Sequence, residues 1–148
     1  MGGSRPESIV VIGAGEAGAR AAMALREQGF AGRITIIGDE PHAPYERPPL
    51  SKAALTDEVE PQAAFILTPE RLAEHAITHR SDTRVLAIDR DAHRIELAGG
   101  ERIAYDRLLL ATGASARRLS IDGAGPDNVQ TLRTLDEART RPQPGAQC

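Results

Sequence analysis

Three glycines, Gly13, Gly15 and Gly18, stand at GxGxxG spacing directly after the apolar run Ile9 to Ile12 and directly before an alanine-rich stretch. In that setting each glycine has its own task. Gly13 permits a tight turn, Gly15 lets the backbone approach a pyrophosphate, and Gly18 lets the following helix lie close on the preceding strand. The helix N-terminus then offers unpaired N–H groups and a partial positive charge to an anion. Asp39 lies 21 residues beyond Gly18, at the end of the next apolar run. A carboxylate in that place accepts hydrogen bonds from adenosine ribose hydroxyls. Three glycines alone fit a plain turn as well as a dinucleotide site; together with the carboxylate they point to a bound dinucleotide. An acidic residue there also repels a 2′-phosphate, which leaves FAD or NAD rather than NADP at this position.

Holding these residues requires a strand, a turn, a helix and a second strand. Ile9 to Ile12 reads as a strand buried on both faces of a parallel sheet. Ala17, Ala21, Ala24, Leu25 and Gln28 follow helical spacing, and Gly29 sits where a left-handed C-terminal cap belongs. Arg33 to Gly38 reads as the second strand, completing a βαβ unit with a right-handed crossover. The proline- and charge-rich segment "DEPHAPYERPPLSKAALTDEVEP" from Asp39 has no clean period and reads as a loop with short helical pieces. Pro69 to Ala76 holds one or two helical turns, and "AITHRSDTRVLAID" supplies strand material. A hairpin follows around Gly99 and Gly100, its second arm running into a buried strand, Leu108 to Ala111. "GAGPDN" from Gly123 lacks a preceding buried strand and reads as a turn. The fold class expected is α/β: a Rossmann-like parallel sheet with helices on its faces plus a β-hairpin or meander. Residues 1–8 are expected to be disordered, 9–138 to form the nucleotide-binding domain, and 139–148, rich in proline and glycine, to be an unstructured tail.

Composition excludes several classes of function. The 148 residues fit one ordinary domain, and 18 Lys and Arg against 21 Asp and Glu give a net charge of −3 with no basic stripe. Nucleic acid is therefore not an expected partner. No apolar run approaches the roughly 18 residues that span a bilayer, so no membrane partner is expected. The one cysteine, Cys148, allows neither an internal disulfide nor a redox pair, which fits a reducing cytoplasm. His75 and His79 are four residues apart with no third ligand nearby, so no metal site is assigned. With no GxSxG elbow and no HExxH motif, no catalytic side chain is assigned either.

The glycine turn, "YERPPLSK" (Tyr45 to Lys52), "TRVLAID", "YDRLLLATGA" and "LRTLDEA" together resemble the FAD-binding segment of ferredoxin reductase-type flavoproteins. These are the putidaredoxin and rubredoxin reductase-like members of the pyridine nucleotide-disulfide oxidoreductases. The likeness runs in order from about Ile9 to Ala138. It implies FAD as the cofactor, NADH as the electron donor of the intact family and an iron–sulfur ferredoxin or rubredoxin as its acceptor. Arg47 and Lys52 become two cations beside a ligand that carries two phosphates and a flavin, with Pro48 and Pro49 limiting the loop entropy lost on binding. Ser51 is placed to cap a short helix after it. By the same resemblance Ala17, Val85, Ala111, Thr112, Gly113 and Arg133 line the flavin nucleotide.

Two departures accompany the likeness. Ala116 stands where relatives often have proline. The second glycine fingerprint, the returning strand that completes the FAD site and the interface domain are missing, so the chain is expected to be truncated relative to the family. Without a cysteine pair, electrons would pass directly between flavin and an external one-electron carrier. Two rival readings stay open: an NAD-dependent dehydrogenase domain using the same turn, and a truncated, non-catalytic dinucleotide-binding fragment. An uncovered sheet edge is also expected to promote self-association.

Overall fold

A computed structural model of the chain describes residues 6–51, 63–125 and 128–140. The chain divides into two compact units, Met1–Tyr45 with Phe65–Gly113 and Glu46–Ala64 with Ala114–Cys148.

In the first unit, β1 (Ser8–Ile12) is buried along its whole length. It begins inside the segment expected to be disordered, and Asp106 is the reason. That carboxylate accepts from the Glu7 N–H at 2.9 Å, the Ser8 N–H at 2.8 Å and the Ser8 hydroxyl at 2.9 Å. The Ser8 hydroxyl and these two N–H groups hold the Asp106 carboxyl below its ordinary range.

Helix α1 (Glu16–Glu27) follows, with Ala19 and Ala22 buried, and stops where Gly29 adopts φ +80°. Then come β2 (Arg33–Ile37), the two-residue strands β3 (Tyr45–Glu46) and β4 (Ala64–Phe65), helix α2 (Pro69–Glu74) and β5 (Ile77–Arg80). After them lie β6 (Val85–Asp89), β7 (Arg94–Leu97), β8 (Arg102–Ala104) and β9 (Arg107–Leu110).

Strands β5, β2, β1 and β9 form a parallel sheet in that order, β6, β7 and β8 form an antiparallel meander, and β3 pairs with β4. The two faces of the parallel sheet bury different layers, which is why its central strands read as unbroken apolar runs. Val11, Ile34, Ile36 and Ile77 pack with Ala19, Ala22 and Leu72 of the helices. Val10, Ile12 and Ile37 pack with Ile95, Leu97 and Tyr105 of the meander and its exit.

Arg26 ties the helical side together. Its guanidinium donates to the carbonyls of Phe30 (2.6 Å), Gly32 (2.7 Å), His75 (2.8 Å) and Ala76 (2.8 Å). This links the turn after α1 to the turn between α2 and β5.

One strand differs from expectation. β9 has β1 on one side and, among the described residues, no strand on the other, so it is an edge rather than a buried strand. Leu109 is 37% exposed and Leu110 59%.

The second unit contains a 3-10 turn, Pro48–Ser51, and helix α3 (Leu135–Arg139). Among its described residues, Leu50, Leu135 and Ala138 are the buried apolar side chains. Thr134 and Glu137 close a reciprocal capping box at the start of α3, which reaches one residue into the tail expected from 139. The rest of that tail lies outside the described residues. None of the described helices is long and apolar enough to cross a membrane.

Candidate dinucleotide site

Three strands end level with one another. Ile12 of β1 is in register with Ile37 of β2 and with Leu110 of β9. The residues that follow each strand therefore emerge at the same, C-terminal end of the sheet: Gly13 to Gly18, then Gly38 and Asp39, then Ala111 to Gly113. Because β2 and β9 lie on opposite sides of β1, the chain changes direction across the sheet at this point, where open parallel sheets bind their ligands.

The turn itself is stitched to both neighbours. Gly13 N–H donates to Ile37 O at 2.8 Å, and Ala111 N–H donates to Ile12 O at 2.8 Å. The three glycines differ sharply in what surrounds them. A Cβ on Gly13 would lie 2.1 Å from Ala111 O, and its φ of +113° disfavours any side chain. On Gly18 a Cβ would lie 2.0 Å from Gly13 O, so glycine there is what lets α1 sit against the turn. On Gly15 a Cβ would meet nothing within 4 Å. Gly15 is also the N-cap of α1 and makes no side-chain cap, so the leading N–H groups of this 12-residue helix receive no oxygen from it. Two glycines thus serve packing, and the third leaves open space at a helix N-terminus.

Asp39 is exposed on a segment held at both sides. Gly38 N–H donates to Arg80 O at 3.0 Å, Thr83 N–H to Gly38 O at 2.8 Å and Asp82 N–H to Glu40 O at 3.0 Å. The buried Tyr45 hydroxyl donates to Glu40 Oε2 at 2.5 Å, giving the neighbouring carboxylate a partner of its own. Ala17 is exposed in the first turn of α1, Val85 is half-buried at the head of β6, and Ala111 is half-buried. Thr112 and Gly113 are exposed, with Gly113 at φ +67°.

In the second unit the structure brings Arg47 and Arg133 together. Arg47 Nη1 donates to Arg133 O at 2.7 Å, while Arg133 Nε is buried without a hydrogen-bond partner. Lys52 lies outside the described residues, as does the segment Ser51 was expected to cap; Ser51 instead ends the 3-10 turn, its hydroxyl donating to Pro48 O at 3.2 Å. Of "GAGPDN", Pro126 and Asp127 lie outside the described residues; the Asn128 side chain accepts from Gly125 N–H and donates to Gly123 O. His75 caps α2 and His79 sits on β5; among the described residues no group of three or more His, Cys, Asp or Glu could hold a metal ion.

Sequence reading passed over Glu137. Its carboxylate accepts from Arg133 N–H at 2.6 Å, Thr131 Oγ1 at 2.9 Å and Thr134 N–H at 3.2 Å. Burial pushes this carboxyl upward, but those hydrogen bonds and the charge of Arg47 outweigh it and hold the group below its ordinary value. The signal was present in the Thr-x-x-Glu spacing of Thr134 and Glu137.

An open glycine at a helix N-terminus and a carboxylate beyond β2 are the features of the first unit that a dinucleotide would complete. Comparison with known proteins bears on which one. The profile of the pyridine nucleotide-disulphide oxidoreductases matches residues 7–143. The chain belongs to that family.

Among curated relatives in the pyridine nucleotide-disulphide oxidoreductase family, rhodocoxin reductase of Rhodococcus erythropolis is 45% identical over 141 residues, covering 95% of this chain and 33% of its own length. The ferredoxin–NAD(+) reductase component of the p-cumate 2,3-dioxygenase system of Pseudomonas putida is 46% identical over 130 residues, covering 88% and 32%. Among solved structures, the ferredoxin reductase for the CYP199A2 system of Rhodopseudomonas palustris superposes with a TM-score of 0.83 at 41% identity, covering 89% of this chain and 32% of that one. The putidaredoxin reductase–putidaredoxin complex gives 0.82 at 36%, with the same coverage. The fold is therefore Rossmann-like, and the chain spans about a third of the length of the relatives it matches. In the intact family the cofactors are FAD and NADH.

Proposed function

We propose that the chain is the FAD-binding portion of an NADH-dependent reductase of the ferredoxin and rubredoxin reductase type, acting in the cytoplasm with an iron–sulfur protein as electron acceptor. The observation that carries this reading is the turn at the end of β1. Gly13 and Gly18 are forced by packing, Gly15 is left open at the start of α1, and Asp39 emerges beyond the adjacent strand at the same end of the sheet. Bound flavin supplies hydride acceptance from NADH and stepwise electron release, chemistry that no side chain provides.

The residues of the chain bind and orient. Gly15 admits the pyrophosphate to the backbone, and the first turn of α1, with Ala17, donates N–H groups to it. Asp39 takes the ribose hydroxyls. Ala111, Thr112, Gly113 and Val85 are assigned to the flavin nucleotide, as are the cations Arg47, Lys52 and Arg133. Residues 9–138 form the binding portion in this reading. Relatives named as reductases of ferredoxin and rubredoxin systems support it, as does the net charge of −3, which offers no surface for nucleic acid.

The test is an absorption and fluorescence titration of the purified chain with FAD, repeated with Asp39→Ala. Each lost hydrogen bond to the carboxylate removes about 1.5–3 kcal/mol, so the variant should bind on the order of 10- to 1000-fold more weakly. Unchanged affinity would remove Asp39 from the site. Saturable binding of NAD with none of FAD would favour the dehydrogenase reading.

A further inference from the structure

We infer that Tyr45, acting through Glu40, is a positioning residue for Asp39: its buried hydroxyl fixes the residue next to that carboxylate and so holds Asp39 where it takes the ribose hydroxyls. The inference rests on the function proposed above. Asp39 is the exposed middle of a three-residue stretch, between buried Gly38 and half-buried Glu40. On its near side Gly38 is bonded through both main-chain groups, its N–H donating to Arg80 O at 3.0 Å and its carbonyl accepting from Thr83 N–H at 2.8 Å. On the far side the Glu40 carbonyl accepts from Asp82 N–H at 3.0 Å. The next residue is Pro41, which has no N–H to donate, so the main chain cannot be fastened there in the same way.

The Glu40 side chain supplies a further tie. Its Oε2 accepts from the Tyr45 hydroxyl at 2.5 Å, a charge-assisted bond that closes the span from Glu40 to Tyr45 across its ends. Pro41 and Pro44 stiffen that span from within. Tyr45 is itself fixed from the core of the same unit. Its side chain is buried, and the Pro44 carbonyl before it accepts from the N–H groups of buried Ile66 (2.8 Å) and Leu67 (3.4 Å). Restraint thus passes from Leu67 through Pro44 and Tyr45 to Glu40, and ends beside the one residue of the stretch that faces solvent.

A buried phenol that needed only a hydrogen bond would be served by a main-chain carbonyl. Drawing a carboxylate partly out of water instead costs desolvation, and that cost is accounted for if the residue beside it must meet a ligand in one orientation. A group already held in its binding position loses less freedom when the ligand arrives, so the Tyr45 hydroxyl should contribute to affinity more than to stability.

Tyr45→Phe keeps the ring and its burial and removes only the hydroxyl. The experiment is a double-mutant cycle with Asp39→Ala on the full chain, read as the FAD dissociation constant, with the unliganded melting temperature measured alongside. Tyr45→Phe should weaken FAD by about 3- to 30-fold in the wild-type background and by less than about twofold with Asp39→Ala. Glu40→Gln, whose side-chain oxygen still accepts from the phenol, should restore binding to within about threefold of wild type. No loss in the wild-type background, or an equal loss in both backgrounds, overturns the inference. Should Tyr45→Phe not fold, Glu40→Ala carries the same cycle with the same outcomes.

Two nucleotides supply a readout that loop packing alone would not move. Tyr45→Phe should weaken ADP while leaving 2′,3′-dideoxy-ADP, which offers Asp39 no hydroxyl, unchanged; equal losses for the two overturn the inference. A wild-type chain that binds no FAD overturns the proposed function and this inference with it. A chain in which Asp39→Ala weakens FAD while Tyr45→Phe costs the same in both backgrounds overturns the inference alone.

Discussion

Gly15 and Gly18, three residues apart, answer opposite demands, and that contrast can be measured. Gly18→Ala places a methyl group 2.0 Å from a backbone carbonyl, so the turn or the helix must shift; a loss of about 1–3 kcal/mol or more is expected, read as a lower denaturation midpoint. Gly15→Ala meets nothing, so stability should stay within about 1 kcal/mol while FAD affinity falls, because the methyl group occupies the space the pyrophosphate needs. A Gly15→Ala chain that binds FAD as the wild type does would dissociate the turn from the ligand. His79 makes a second prediction at this scale. Its Nε2 is buried without a partner on β5, and burial lowers its pKa from the ordinary 6.5. The unfolded chain therefore binds the proton more readily than the folded one. Stability is full above about pH 6.5 and declines as the pH falls below it, so the melting temperature should drop between pH 7.5 and 5.5, and less so in His79→Leu. The packing tasks of Gly13 and Gly18 were legible because their spacing between an apolar run and an alanine-rich stretch states them. The orphaned His79 nitrogen and the packing of Gly13 on Ala111 were not, since each depends on a contact between segments distant in sequence or on what surrounds a side chain, whereas Glu137 carried a local signal, the Thr134-x-x-Glu137 spacing, that was passed over.

At the scale of elements, β1, α1 and β2 followed from pattern because apolar runs, alanine periodicity and the capping Gly29 all agreed. The hairpin around Gly99 and Gly100 likewise appeared as β7 and β8, paired from Arg94 with Ala104 to Glu96 with Arg102. β9 did not come out as expected. "LLLA" is apolar enough for a strand buried on both faces, and nothing in such a run tells whether a neighbour exists on each side. In the structure Leu108 joins the meander side of the core while Leu110, on the same face two residues on, is 59% exposed. An open edge bearing leucines is a template for pairing with another chain. Sedimentation velocity should show concentration-dependent association of the isolated chain, reduced by Leu110→Lys, which puts a charge on that edge. Association unaltered by the lysine would place the contact elsewhere.

For the molecule as a whole, the described residues contain one strand–glycine–helix turn, and in the function proposed above that turn serves one dinucleotide. Titration should therefore give one FAD per chain, and NADH added with ferricyanide should be oxidised no faster than with free FAD. Hydride transfer requires the nicotinamide held at roughly 3–3.5 Å from its acceptor, and the glycine turn that would hold it is already committed. Faster turnover would demand a second nucleotide site. The order β5, β2, β1, β9 has a further consequence, in the sequence of events by which the chain reaches its fold. β1 meets β2 across a single helix, but it meets β9 only after nearly a hundred residues have been made, the distance spanned by the bonds from Glu7 and Ser8 to Asp106. Closing so long a loop is entropically slow, so the βαβ half bearing the glycines and Asp39 can assemble while Ala111 to Gly113 are still absent. During synthesis the βαβ half therefore stands open on the β9 side of β1 until β9 has been made and pairs there.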